Sequence, residues 1–176
     1  MGISDQFYNN KNSVCLQLMC INDLSFYLYV YQHPNLSHFW PQEYTVEFLT
    51  NSFRQSIKRN KDHAFKKVFV IVDRRSKKQI GIASIKCVNE LGETGLIICP
   101  EFQKNGFGIL VKGCLMDLAF HQFGVTELMA ECHLKNESII KINENLGYEF
   151  CQLSTKNHGT GVWLINKEKY QRLKSR

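Results

Sequence analysis

The sequence predicts an α/β fold, with one mixed, mostly antiparallel sheet of about seven strands and helices on both faces. Three features lead to this prediction. Two amphipathic segments near the start are typical of helices, a series of short apolar runs separated by turn residues follows, and the second half alternates strand-like with helix-like segments. No repeat, linker or low-complexity tract interrupts the 176 residues, so we expect a single domain over 1–176.

Strands are predicted where short apolar runs lie between turn signals, and helices where apolar residues recur every three or four positions behind a capping residue. The predicted strands span 14–19, 68–73, 79–88, 93–99, 126–132, 148–153 and 159–165. The predicted helices begin at 22–23, 45, 106 and 136, and end near 33, 57, 123 and 146. A loop is predicted over 35–44 and a turn over 89–92, and Gly124 and Gly147 are expected to end helices.

Composition places the chain among ordinary globular proteins, with 44% hydrophobic and 22% charged residues. No stretch approaches the roughly 20 uncharged residues that a transmembrane helix needs. Residues 1–6 lack the basic segment and apolar run of a secretory signal. We therefore expect a cytoplasmic protein without a membrane partner.

The cysteines are odd in number, scattered, and without a Cys-x-x-Cys pair, which argues against a zinc site or a disulfide framework. We expect them to be small buried hydrophobic residues in a reducing compartment, and we expect no metal. They are Cys15, Cys20, Cys87, Cys99, Cys114, Cys132 and Cys151.

The formal charge of +6 suits an anionic ligand and is also a common balance for solubility. Basic residues cluster over 58–67 and again over 74–78. The second cluster lies between two predicted strands, where a solvated hairpin turn is expected, and this argues against a nucleic-acid partner.

The segment 99–108 carries the pattern Gln103-x-x-Gly106-x-Gly108 where a predicted strand enters a predicted helix. Two glycines there allow backbone N–H groups to approach a ligand without Cβ atoms in the way. The helix N-terminus adds partial positive charge and unpaired donors, which suit a pyrophosphate. The third glycine of a dinucleotide-binding fingerprint is missing, which argues against a Rossmann domain.

This segment resembles the acetyl-CoA signature of the GNAT superfamily of N-acyltransferases, Gln/Arg-x-x-Gly-x-Gly/Ala. Asn136, followed eleven positions later by Gly147-Tyr148, resembles the family's Asn-x-x-Ser…Gly-Phe helix. Upstream, 39–41 (Phe-Trp-Pro) followed by 44–45 (Tyr-Thr) resembles the entry of the ribosomal-protein (RimJ/RimL-like) branch. The matches span residues 39 to 148.

The resemblance implies acetyl-CoA as co-substrate. Ile98 and Cys99 are expected to offer backbone groups to the pantetheine arm, where family members splay two adjacent strands. Asn136 is expected to contact the cofactor; a simple helix cap is the alternative, and the two roles are compatible. The residues expected to wrap the pyrophosphate are Gln103, Asn105, Gly106, Phe107 and Gly108.

Acetyl transfer to an amine requires a deprotonated nucleophile, stabilisation of an oxyanion and a proton for the departing thiolate. A backbone N–H near Cys99 is a candidate for the oxyanion. Glu93 is the first choice for the base, acting through a water, because 93–95 (Glu-Thr-Gly) resembles the branch's Glu-x-Gly; an exposed strand-end carboxylate is the alternative. Glu131 and His133 on the next predicted strand are second choices.

At the positions where the family carries its general acid, this sequence differs from the family pattern. Many members carry a tyrosine seven residues after the helix-starting asparagine, where this chain has Asn143. The branch favours a serine three residues after it, but Ile139 stands there and Ser138 lies one residue early. Ser138 is the candidate acid, with Tyr148 and a solvent proton as alternatives.

The acceptor is expected to be a primary amine attacked without a covalent enzyme intermediate, with a protein or peptide N-terminus favoured. Trp40 is expected to line its site, unless it plugs the core instead. The alternatives are an amino sugar, an aminoglycoside or a polyamine, and a non-catalytic acyl-CoA-binding module. A monomer or a homodimer is expected.

Overall fold

The computed structural model describes residues 6–7, 13–37, 44–61 and 66–175. The strands are β1 (Gln6–Phe7), β2 (Val14–Leu18), β3 (Lys66–Asp73), β4 (Gln79–Val88), β5 (Leu91–Ile98), β6 (Glu127–His133), β7 (Glu149–Leu153) and β8 (Thr160–Asn166). The α-helices are α1 (Leu24–Gln32), α2 (Pro34–Ser37), α3 (Val46–Lys61), α4 (Phe107–His121), α5 (Glu137–Asn145) and α6 (Lys167–Lys174). Single 3-10 turns lie at Ile21–Asp23 and Pro100–Phe102.

The strands pair in the order β1-β2-β3-β4-β5-β6-β8-β7. Neighbours run antiparallel at β1–β2, β2–β3, β6–β8 and β8–β7, and parallel at β5–β6. Seven strands have five residues or more and β1 has two. The prediction of a mixed, mostly antiparallel sheet of about seven strands is confirmed.

The chain divides into two compact units, Met1–Ser84 with Leu96–Val111, and Ile85–Gly95 with Lys112–Arg176. Strands β4 and β5 and helix α4 each contribute residues to both units. The expectation of a single domain stays a prediction.

In the first unit, α1 and α3 pack on the sheet over a core that includes Val30, Phe53, Val70 and Cys99. The Thr45 hydroxyl accepts the Phe48 N–H at 3.1 Å, as predicted for a residue that caps α3. The basic segment between β3 and β4 is the predicted turn. Its sharp bend is stabilised by Asp73, whose carboxylate accepts the N–H groups of Arg75 and Ser76 at 3.1 Å.

In the second unit, β8 lies between β6 and β7, and β7 has a register shift between Phe150 and Gln152. Helices α5 and α6 begin at the asparagine caps Asn136 and Asn166, whose side chains accept the N–H groups of Ile139 and Lys169. Helix α6 was not predicted, because its polar composition carries little apolar periodicity.

Several local predictions were wrong. The predicted turn at 89–92 comprises Asn89 and Glu90, which adopt positive φ, while Gly92 is a buried residue of β5. A Cβ atom on Gly92 would lie 2.5 Å from Leu128 Cδ2, so this glycine serves close packing rather than a turn. Helix α2 occupies part of the predicted loop, and Cys20 and Cys151 are exposed rather than buried. All seven cysteines are free.

The described residues include no helix long and apolar enough to cross a membrane.

Candidate active site

The loop that enters α4 has the geometry of a ligand cradle. Gly106, directly before the helix, has φ +78°, and a Cβ atom built on it would meet no atom within 4 Å. Helix α4 then runs for 15 residues, so its first N–H groups have no intrahelical partners and its N-terminus carries partial positive charge. Phe107 and Gly108 form its first turn. This cradle can accommodate an anionic group.

The polar side chains of this loop form hydrogen bonds to backbone carbonyls of the same segment. Gln103 Nε2 donates to the Ile98 carbonyl at 2.9 Å, and Asn105 Nδ2 donates to the Gln103 carbonyl at 3.1 Å. These bonds hold the loop in shape for the glycine and the helix start. The side chains of Gln103 and Asn105 therefore support the cradle, while the backbone is left to face a ligand.

Cys99 has its own backbone groups engaged. Its N–H donates to the Ile80 carbonyl at 2.9 Å, and its carbonyl accepts the Phe102 N–H at 2.9 Å. The Cys99 N–H is therefore engaged, and the expectation that a backbone N–H near Cys99 stabilises an oxyanion stays a prediction. Backbone groups of successive residues alternate between the two edges of an extended strand, so we expect the Ile98 N–H to point away from β4. It is the better candidate donor to a ligand.

Strands β5 and β6 run parallel but pair at only three positions, from Leu91↔Glu127 to Glu93↔Met129. Thr94 is the first residue of β5 beyond these pairs, and β6 continues for four residues past Met129. Backbone groups beyond this point do not form the ladder that the first three pairs form. The strands thus part directly after Glu93.

Glu93 lies at this point with its carboxylate 3.7 Å from the Lys86 ammonium. The two side chains are 42% and 53% exposed, so both remain in contact with solvent. A solvated carboxylate beside the parting strands can accept a proton through a water.

The two second choices for the base are engaged elsewhere. Glu131 Oε1 accepts the side-chain amide of Asn157 at 3.1 Å, and His133 Nδ1 accepts the Lys135 N–H at 3.1 Å. Ser138 is exposed in the first turn of α5, and Asn136 caps that helix with its Oδ1 3.3 Å from the Ile139 nitrogen. No contact in the described residues brings Ser138 to Glu93.

A buried polar cluster was missed by sequence reasoning. Lys112 on α4 is 2% exposed, and its ammonium lies 5.0 Å from the centroid of the Tyr148 ring. Burial lowers the pKa of Lys112 to about 8, against a smaller opposing effect of Cys132. Asn143 is fully buried with its amide nitrogen 4.0 Å from Cys132 Sγ. The periodicity of α4 indicates that position 112 faces inward. A lysine, however, is normally a surface residue, so the sequence does not predict its burial.

Trp40 and the rest of the upstream motif at 39–41 lie outside the described residues. Among the residues that are described, no three His, Cys, Asp or Glu side chains converge closely enough to hold a metal ion.

Comparison with protein families decides the identity. The model of the acetyltransferase (GNAT) domain matches residues 13–149, well over half of the chain. The chain belongs to the GNAT family. It is thus an N-acetyltransferase that uses acetyl-CoA and acts on an amine acceptor.

Solved structures of GNAT acetyltransferases share its fold. A spermidine N-acetyltransferase from Vibrio cholerae, solved with CoA and spermine, is 19% identical with a TM-score of 0.77, over 90% of this chain and 98% of that one. An aminoglycoside acetyltransferase with coenzyme A is 16% identical with a TM-score of 0.79, over 92% and 99%. A ribosomal-protein alanine acetyltransferase from Vibrio fischeri is 19% identical with a TM-score of 0.74, over 94% and 98%. No curated protein sequence gives a significant match.

The cradle of this GNAT chain fits the co-substrate. The open space at Gly106, the start of α4 and the outward Ile98 N–H are backbone features that suit a diphosphate and an amide-containing arm. When bound, acetyl-CoA supplies the acetyl thioester for the reaction.

Proposed function

We propose that this GNAT enzyme acetylates the free α-amino group of a protein or peptide, which attacks the thioester directly. The observation that carries the proposal is the setting of Glu93. Its carboxylate is 42% exposed and lies 3.7 Å from the Lys86 ammonium, so it can accept a proton from the amine through a water.

A carboxylate that acts through a water suits an acceptor that is already partly neutral. An α-amino group has a pKa of about 7.7–8.0, whereas an alkylammonium such as that of lysine has a pKa of about 10.4. Near neutral pH a substantial share of α-amino groups is nucleophilic without help, and Glu93 needs to remove a proton only from the remainder. A polyamine or a lysine side chain would demand far more of the base.

Charge supports the same acceptor class. The chain carries a formal charge of +6. A polycationic acceptor is best held by grouped carboxylates. A single terminal ammonium requires fewer carboxylates to hold it.

The co-substrate half of the proposal places the diphosphate at Gly106, Phe107 and Gly108, and the pantetheine arm along Ile98. Gln103 and Asn105 act by holding the loop. Asn136 caps α5 and is proposed to contact the co-substrate from there. No side chain in this scheme forms a covalent intermediate, so the free cysteines take no part.

The test is a panel of acceptors assayed by release of the CoA thiol from acetyl-CoA. The panel contains peptides with a free N-terminus, the same peptides blocked at the N-terminus but carrying lysine, spermidine and an aminoglycoside. We expect the highest kcat/KM for free N-termini and a loss of activity on blocking. A higher value for spermidine or the aminoglycoside would replace the proposed acceptor, and binding of acetyl-CoA without turnover of any amine would leave an acyl-CoA-binding module.

Trp40 is proposed to line the acceptor site. Trp40→Ala is expected to raise the KM for the peptide while leaving acetyl-CoA affinity nearly unchanged. Loss of folding without a selective kinetic effect would show that Trp40 is a core plug.

A further inference from the structure

Lys104 is a basic residue of the loop that leads into α4, two positions before Gly106. Its backbone has φ +61°, in the left-handed region that residues with a Cβ atom rarely adopt. The residue is exposed, and it forms no ion pair within the described part of the chain. The loop thus holds a charged side chain in a costly backbone conformation, next to the ligand cradle.

The backbone of position 104 by itself favours a different residue. Glycine or asparagine adopts the left-handed conformation at a lower cost than lysine does. Both residue types follow directly in the loop, as Asn105 and Gly106. What lysine adds at position 104 is its ammonium, and strained residues of this kind are found at ligand-binding loops. The outlier therefore directs attention to the charge.

Other charges in this part of the chain are few. Between Lys86 and Lys112 the sequence has one basic residue, Lys104. The acidic residue of the loop, Glu101, is engaged by α1, because the Tyr29 hydroxyl donates to its carboxylate at 3.0 Å. The loop therefore carries a single positive charge that is available to a ligand.

The co-substrate contains two kinds of phosphate group. Each unit of its diphosphate carries one negative charge, and the backbone features at Gly106 and the start of α4 suit that group. The 3′-phosphate on its ribose is a monoester, which carries a charge of about −1.5 to −2 at pH 7. It gains the most from a separate cation, and the ammonium of a lysine is a compact charge on a flexible stem.

We propose that the Lys104 ammonium binds the 3′-phosphate of acetyl-CoA, so that the enzyme prefers CoA to dephospho-CoA. This rests on the proposed function, which places the diphosphate against Gly106. Lys104, Gly106 and Ile98 belong to the same compact unit, so the binding site needs no contribution from the other unit. Lys104 acts in binding and takes no part in the transfer of the acetyl group.

The test is isothermal titration calorimetry with CoA and with dephospho-CoA at low ionic strength. The unmodified protein should bind dephospho-CoA about fivefold to tenfold more weakly, as for a charge-assisted hydrogen bond that stays partly in water. Lys104→Gln should weaken CoA by that factor and leave the Kd of dephospho-CoA unchanged. Lys104→Arg keeps the charge and should keep the preference. Added salt should reduce the preference, because it screens an exposed pair.

Lys77 is the matched control, since it is an exposed lysine of the same compact unit with the same φ of +61°. Lys77→Gln removes one positive charge from the turn between β3 and β4 and should leave both Kd values unchanged. Glycine relieves the backbone at either site, so Lys104→Gly and Lys77→Gly should have denaturation midpoints at least as high as the unmodified protein. Only Lys104→Gly should weaken CoA. A purely structural role for Lys104 would not separate affinity from stability in this way.

Equal weakening of CoA and dephospho-CoA by Lys104→Gln would overturn the proposal, because the lost charge would then not act on the 3′-phosphate. Equal affinities of the unmodified protein for the two ligands would also overturn it. So would an effect of Lys77→Gln as large as that of Lys104→Gln, which would show a general effect of net charge. Failure of both ligands to bind the unmodified protein is a different result, which refutes the co-substrate half of the proposed function.

Discussion

Glu93 and Lys86 form an ion pair that is open to solvent, so the carboxylate contributes little to stability and is free to act on a substrate. Glu93→Gln keeps the shape and removes the charge. We expect acetyl-CoA to bind as before while kcat falls by a factor on the order of 10² to 10⁴. The residual activity should rise with pH, because a growing share of the amine is then neutral. Steady-state kinetics over a pH series test this.

Glu131→Gln is the matched control, since Glu131 is a partly exposed carboxylate bonded to Asn157. It should leave kcat within about twofold, well below the loss that removal of an acid–base group causes. If Glu131→Gln lowers kcat strongly and Glu93→Gln does not, Glu131 is the base. If neither lowers kcat, His133 is the next residue to replace.

The burial of Lys112 also leads to a prediction about stability. Its pKa is about 8 when folded and about 10.5 when unfolded, so between these values the unfolded chain binds more protons. The contribution of Lys112 to stability therefore rises with pH across that window, and below pH 8 the buried charge carries its full cost, on the order of 3 kcal/mol. We expect Lys112→Met to unfold at a higher temperature than the unmodified protein at pH 7, with an advantage that shrinks from pH 8 to 10.5.

Thermal unfolding of both proteins at several pH values measures this, and Cys132 is present in both, so its own titration largely cancels. A constant difference across pH 7 to 10.5 would show that Lys112 is not perturbed. A large loss of stability in Lys112→Met would show that the ammonium has partners that stabilise it.

Strand β5 and helix α4 use glycine for opposite reasons. A Cβ atom on Gly92 would lie 2.5 Å from Leu128, whereas one on Gly113, within α4, would meet nothing within 4 Å. Gly92→Ala should lower the free energy of unfolding by about 1–3 kcal/mol through overpacking. Gly113→Ala should raise it by about 0.4–1 kcal/mol, since alanine favours a helix. Chemical denaturation of both variants tests the opposite signs.

The two ends of α4 provide a matched pair for the ligand cradle. Gly106 before the helix and Gly124 after it have φ of +78° and +66°, and neither has an atom within 4 Å of a Cβ position. Valine at either site should therefore cost a similar amount of strain, about 1–3 kcal/mol. Only Gly106→Val should abolish stabilisation by acetyl-CoA. Equal stabilisation of both variants would show that the diphosphate does not lie against Gly106.

For the molecule as a whole, a ligand that binds only the folded state stabilises it by mass action. At a concentration 100 times its Kd, acetyl-CoA should add about 2.7 kcal/mol. For a chain of this size that corresponds to a rise in Tm of about 5–10 °C. Differential scanning fluorimetry with acetyl-CoA, and with an unrelated nucleotide as control, measures the shift. A flat response would contradict the assignment of the cradle.

Much of the architecture could be predicted because its signals are local. The strands from β2 to β8 and the helices α1, α3, α4 and α5 follow from apolar periodicity and caps, and a glycine loop before a helix is readable within a few residues. The exceptions have physical reasons. Helix α6 is polar apart from Tyr170 and Leu173, and α2 is a single turn. The sequence predicts a turn at Gly92, whereas close packing against Leu128 on another strand is what requires a glycine there.

What the amino-acid order settled was the fold class, the family motif and the placement of the Gly106 cradle at the start of a helix, because each depends on neighbours along the chain. What the tertiary structure decided was which groups are free to act. The Cys99 N–H donates to the Ile80 carbonyl, and the Gln103 side chain donates to the Ile98 carbonyl. The Lys112 ammonium is buried against the Tyr148 ring. Hydrogen bonding and desolvation depend on residues far apart in sequence, so they appear only once the chain has folded.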